Sequence, residues 1–127
     1  MTAGMFADYY LETYGIHTIS IEEGFLTYKV KDNICTVYDI YITPAARLNH
    51  SAMKLAEMLQ ISALDKGAIC LISHVSETQP NYKHSIDGQC KFGFMIKDVR
   101  LDDDGKKQYL LYKDLSALNN NIQDKEQ

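Results

Sequence analysis

The residues of this 127-residue chain that could do chemistry gather in its middle third. Asp39 stands inside the apolar run ICTVYDIYI. A carboxylate there needs a hydrogen-bonding partner or a raised pKa, so Asp39 is either a general base or a structural aspartate bonded to backbone amides or a tyrosine. Pro44 ends the run, and Arg47, Leu48, Asn49, His50, Ser51 and Ala52 lead into an amphipathic stretch. A turn that passes from a strand into a helix leaves the first helical N–H groups unpaired, and together with the helix dipole they attract an anion. The N–H groups from about Leu48 to Ala52 are therefore a candidate phosphate cradle. Arg47 beside them is either a fork of donors for that phosphate or a plain surface arginine. His74 and His84 are the other candidates near the expected cleft, either proton carriers or solvated side chains. With His17 and His50 they share no metal-ligand spacing, and no metal site is expected.

The elements that must hold these residues follow from periodicity. Phe6, Tyr9, Tyr10 and Thr13 recur at helical spacing up to Gly15, which predicts a helix from about Ala3 to Tyr14. The period then becomes two over HTISIEE, GFLTYKVK and ICTVYDIYI, a three-strand antiparallel meander turned at EEG and KDN. In the third strand Ile34, Thr36, Tyr38, Ile40 and Ile42 fall on one face and Cys35, Val37, Asp39 and Tyr41 on the other. Both sets are largely apolar, so the strand should be central and covered on both sides.

A helix is expected over Ser51 to Asp65, capped by Asn49 or Ser51 and stopped by Gly67. AICLISHV then reads as a buried parallel strand closing a right-handed crossover. In SETQPNYKHSIDGQCK a short helix is open, with Pro80, Asp87 and Gly88 interrupting any long one. KFGFMIKDV and KKQYLLYKDL flank LDDDG as a hairpin. The domain is expected over residues 1–115, and 116–127 should be a polar, disordered tail.

Bulk properties narrow the function classes. With 46% hydrophobic residues the chain has material for one core, and its net charge of −4 argues against a nucleic-acid surface, which needs clustered Lys and Arg. Cys35, Cys70 and Cys90 form no CxxC motif and fit reduced, mostly buried thiols of a cytoplasmic protein. No apolar run approaches the roughly 18 residues that span a bilayer. Nine tyrosines could supply a homodimer or other interface, or simply pack the core.

In this order and spacing the pieces resemble the GCN5-related N-acetyltransferases (GNAT), particularly the short members common in bacteriophage genomes. The resemblance rests on Tyr41-Ile42-Thr43-Pro44-Ala45-Ala46-Arg47, on His50 to Ala52 and the helix after them, on Gly67, on Gly24-Phe25, and on the late Gly93-Phe94 pair. It covers most of the chain. It implies an α+β fold: a mixed, mostly antiparallel sheet of about six strands, helices on both faces and a central parallel strand pair.

The resemblance further implies acetyl-coenzyme A as cofactor, its pyrophosphate on the amides after Arg47 and its pantetheine arm between the strands at Ile42 and at His74. Asn81 would contact that arm. The implied reaction is acetyl transfer to a small-molecule or protein amine, with Asp39 acting as base through water. Two positions depart from the family pattern: His50 stands where a glycine is usual, and Gln89 where a tyrosine acid is frequent, which makes Tyr82 a substitute acid to consider. A catalytically inactive relative that binds a host protein is the alternative.

Overall fold

The computed structural model describes residues 3–47 and 50–118. Helix α1 (Ala3–Tyr14) leads into β1 (His17–Ile21), β2 (Gly24–Lys31) and β3 (Ile34–Ile42). A single 3-10 turn at Pro44–Ala46 precedes α2 (Ser51–Asp65), β4 (Cys70–Ser76), α3 (Tyr82–Lys91), β5 (Met95–Leu101) and β6 (Lys107–Asp114). The strands form one six-stranded sheet in the order β1-β2-β3-β4-β6-β5. Every neighbouring pair is antiparallel except β3 and β4, which are parallel and joined through α2. The α+β architecture and its central parallel pair are those expected from the sequence.

Helices α2 and α3 share one face of the sheet, and α1 lies on the other. Leu55 and Leu59 of α2 and Ile86 of α3 join Leu26, Leu71 and Leu111 of the strands in one core. Lys113 of β6 fastens this layer: its ammonium donates to Gln60 Oε1 at 2.6 Å and to the Phe92 carbonyl at 2.8 Å. The α3 helix runs straight through Asp87 and Gly88, contrary to the interruption expected there. Its stop is the Gly93-Phe94 pair. Gly93 takes φ +108°, and the N–H groups of Gly93 and Phe94 bond back to the carbonyls of Cys90 and Gln89, a Schellman cap.

Strand β3 departs from strict alternation. Thr27 pairs with Asp39 but Tyr28 pairs with Val37, so Tyr38 is an extra residue, a β-bulge. The bulge reverses the parity beyond it, and Cys35 and Ile42 both point into the helix-covered core. Tyr38, Asp39, Ile40 and Tyr41 are exposed, so this half of the strand is not covered on both sides as the composition had implied. Gly24 opposite its end is required by contact: a Cβ there would lie 2.1 Å from the Tyr41 carbonyl oxygen.

Two further expectations need correction. Cys90 is exposed, because the inward stripe of α3 runs through Tyr82, Ile86 and Gln89 and leaves Cys90 beyond its edge. Leu118, within the segment expected as a tail, packs against the core beside the fully buried Leu115. Residues 119–127 lie outside the described residues. No helix among the described residues is long and apolar enough to cross a membrane.

Candidate functional site

The site begins where the β3–β4 ladder stops. Parallel pairing runs only from Ile34 and Cys70 to Val37 and Ser73. Beyond it the strands diverge, and their facing edges, Tyr38 to Ile42 and His74 to Ser76, have no strand between them. The gap opens into a cleft of about 590 Å³, walled by those edges, by Ala52 and Ala56 of α2, and by Asn81, His84, Ser85 and Gln89 of α3. Backbone polar groups on such edges must find partners in water or in a ligand.

Most residues singled out by the sequence converge here. Asp39, Ile42, Arg47, Ala52, His74, Asn81 and His84 all line the cleft. Asp39 is not a buried carboxylate: it is exposed, and its partner is Thr27, whose hydroxyl donates to Asp39 Oδ2 at 3.1 Å. The Asp39 N–H donates to the same hydroxyl oxygen, also at 3.1 Å, which fixes the carboxylate's position. Arg47 folds back, its Nε donating to the Ile42 carbonyl at 3.0 Å and its guanidinium lying 5.9 Å from the centre of the Tyr41 ring. His74 and His84 are both exposed.

At the mouth of α2 the N-cap is His50, with no side-chain capping bond, rather than Asn49 or Ser51. Ser51 is already helical and buried. His50 adopts φ +60°, ψ +18°, a left-handed conformation that glycine reaches without strain. Leu48 and Asn49, expected in the phosphate cradle, lie outside the described residues. Asn81 is the N-cap of α3 and is likewise left-handed, with φ +60°.

Tyr82 is not among the cleft-lining residues. It packs half-buried against the core, stacked on Tyr109 with ring centres 6.1 Å apart. Gln89, which stands where the family places a tyrosine, does line the cleft. Its Nε2 donates to Ser85 Oγ at 3.3 Å, while its Oε1 is buried with no hydrogen-bond partner. Sequence reasoning missed Tyr38 and Ser85 as lining residues. Tyr38 gets there through the bulge, which alternation hides, and Ser85 through α3, whose bounds the sequence left open.

The cysteines offer no nucleophile to the cleft. Burial pushes the Cys35 thiol up to about 12, helped by the neighbouring Cys70, and burial raises Cys70 as well. Among the described residues no cluster of His, Cys, Asp and Glu could hold a metal ion.

No protein-family profile matches the sequence, and no curated protein does. Solved structures match well. A candidate acetyltransferase of the GNAT family from Desulfovibrio desulfuricans superposes with a TM-score of 0.73 at 14% identity, over 85% of this chain and 76% of that one. The fold is that of the GNAT acetyltransferases. The ribosomal-protein-S18-alanine N-acetyltransferase of Escherichia coli matches with a TM-score of 0.67 at 16% identity, over 91% of this chain and 78% of that one. An aminoglycoside 6'-N-acetyltransferase solved with coenzyme A matches with a TM-score of 0.67 at 12% identity, over 83% and 76%. At these identities the likeness is one of GNAT fold, and the chemistry must be argued from the cleft.

Proposed function

We propose that the chain binds acetyl-coenzyme A in the cleft and transfers its acetyl group to an amine. The observation that carries this reading is the broken β3–β4 ladder. An extended ligand with amide groups can pair with diverging strand edges as a short extra strand, and the pantetheine arm has such groups. The turn into α2 also fits: its unpaired helical N–H groups suit a pyrophosphate, and the backbone at His50 is left-handed, a conformation in which a glycine is at home. Asn81 and Ile42 are the further contacts proposed for the arm. Arg47 holds the Ile42 carbonyl and so steadies the strand end rather than reaching away from it.

When bound, the group supplies an acetyl thioester, so that an ammonium and acetyl-coenzyme A yield the N-acetyl amine, the free thiol and one proton. Asp39, anchored by Thr27, takes a proton from the ammonium, directly or through one water. His74 and His84, also on the cleft wall, are the groups proposed to carry the second proton to the thiolate. Gln89 cannot donate a proton usefully, and Tyr82 faces the core.

The test is thermal. Coenzyme A at about a hundred times its dissociation constant should stabilise the fold by ~2.7 kcal/mol. An unchanged melting temperature at millimolar coenzyme A would sink the cofactor reading. Asp39→Asn should keep that shift and lose acetyl transfer by about 10²–10⁴-fold.

A second reading is favoured by Gln89 in the tyrosine position and by the histidine at residue 50. In it the chain is a non-enzymatic protein on the same scaffold, for example a phage-encoded factor, that binds a host protein through the cleft or the sheet edge and transfers nothing. Ligand-independent capture of a host protein, with no coenzyme A shift, is its signature.

A further inference from the structure

The cleft is not the only cavity beside Asp39. On the opposite face of the sheet, between α1 and strands β1 to β3, lies a second space of about 910 Å³. Asp39, Ile40 and Tyr41 line both, so the diverging edge of β3 is their shared wall. Helix α1 stands over this chamber without filling it. Phe6, Tyr10, Phe25 and Tyr41 line it and remain 51%, 41%, 39% and 45% exposed. Apolar surface gathered in a concavity, rather than scattered singly, marks a place where an apolar body is bound.

The charges in the chamber all have one sign. Among the described residues Glu22 and Asp39 are the only carboxylates that line it, and no lysine, arginine or histidine does. Both carboxylates are exposed, and neither has a cationic partner among the described residues. Aromatic faces and carboxylates together favour a cation attached to an apolar frame and disfavour an anion. Among the described residues the other polar side chains on the wall are the hydroxyls of Thr18, Ser20, Thr27, Thr43, Tyr10 and Tyr41, that of Thr27 already engaged with Asp39, and they stand among Phe6, Ala7, Ile16, Ile21, Phe25 and Ile40, a lining that favours an apolar body over a polyhydroxylated one.

We infer that this chamber receives the acceptor, and that the acceptor is a primary amine carried on an apolar or aromatic body, with its ammonium on Asp39 and its body under α1. The inference rests on the acetyl-transfer reading for its chemistry but not for its binding. Attack needs the amine nitrogen at the β3 edge, where the cleft and the chamber meet. Asp39 is there, held by Thr27, to bind the ammonium and to take its proton.

The experiment measures binding by calorimetry without coenzyme A, using phenethylamine, phenylacetate as its anionic counterpart, and kanamycin as a polyhydroxylated amine. Phenethylamine should bind, phenylacetate should not, and kanamycin should bind at least tenfold more weakly than phenethylamine. Asp39→Asn, an isosteric change on an exposed side chain, should weaken phenethylamine about tenfold or more, and Phe25→Ala should weaken it without touching charge. Phenylacetate binding as well as phenethylamine, kanamycin binding as well as phenethylamine, or no effect of Asp39→Asn would overturn the proposal. So would an absence of phenethylamine binding in a protein whose melting temperature still rises with coenzyme A, which leaves the cofactor reading intact. Phenethylamine bound without any coenzyme A shift would retain the chamber and remove the acetyl transfer.

Discussion

Single residues carry strain and charge that can be read out separately. His50 holds a left-handed backbone with no capping bond in return, so His50→Gly should raise stability by about 1 kcal/mol in a melting experiment. If coenzyme A then binds at least as tightly, the imidazole contributes nothing to phosphate; weaker binding would show that it helps hold it. His17 is a pH probe. It stacks on Tyr28 with ring centres 5.2 Å apart, and desolvation, with a smaller contribution from Lys66, lowers its pKa below the usual histidine value. The unfolded chain therefore binds the proton first, so stability falls as pH drops below about 6.5 and levels off once the folded-state pKa has been passed. His17→Phe keeps the stack and should flatten that part of the stability profile. At this scale the sequence was informative about identity and poor about surroundings. Asp39, His74 and His84 could be named, but Asp39's exposure and its Thr27 partner depend on a strand register that no local pattern prints.

Elements were far more legible than contacts. The bounds of α1, α2 and the hairpin strands follow periodicity and glycine stops closely, because each of these segments agrees with its own local propensity. Two misreadings have separate causes. In α3, the cap at Gly93-Phe94 and the buried Ile86 outweigh the weak helix propensity of Asp87 and Gly88, a tertiary override. In β3, one extra residue changes the facing of all that follow, and a bulge has no compositional mark. The close approach at the strand end is testable. Gly24→Ala places a methyl against the Tyr41 carbonyl, which as backbone cannot swing aside, and should cost about 1–3 kcal/mol in chemical denaturation. Gly88→Ala inside α3 meets nothing within 4 Å and should be stabilising by up to about 1 kcal/mol.

Across the whole molecule, the fold places one carboxylate between two cavities of different character, a half-polar cleft and an aromatic chamber. That juxtaposition could not be foreseen from the chain, since α1 and α3 approach Asp39 from opposite sides of the sheet. The same layout has a mechanical side. Among the described residues the half-sheet β1-β2-β3 and the half-sheet β4-β6-β5 are paired over four rungs, Ile34 to Val37 with Cys70 to Ser73, extended by the Ile69 N–H bonding to the Asn33 carbonyl. Such a seam is a natural place for sub-global opening, with the amides of the rungs exchanging at the rate at which the two halves part. A ligand lying in the notch would add rungs to both halves and act as a splint. Hydrogen exchange of residues 34–36 and 70–72, which do not line the cleft, should therefore slow when coenzyme A binds.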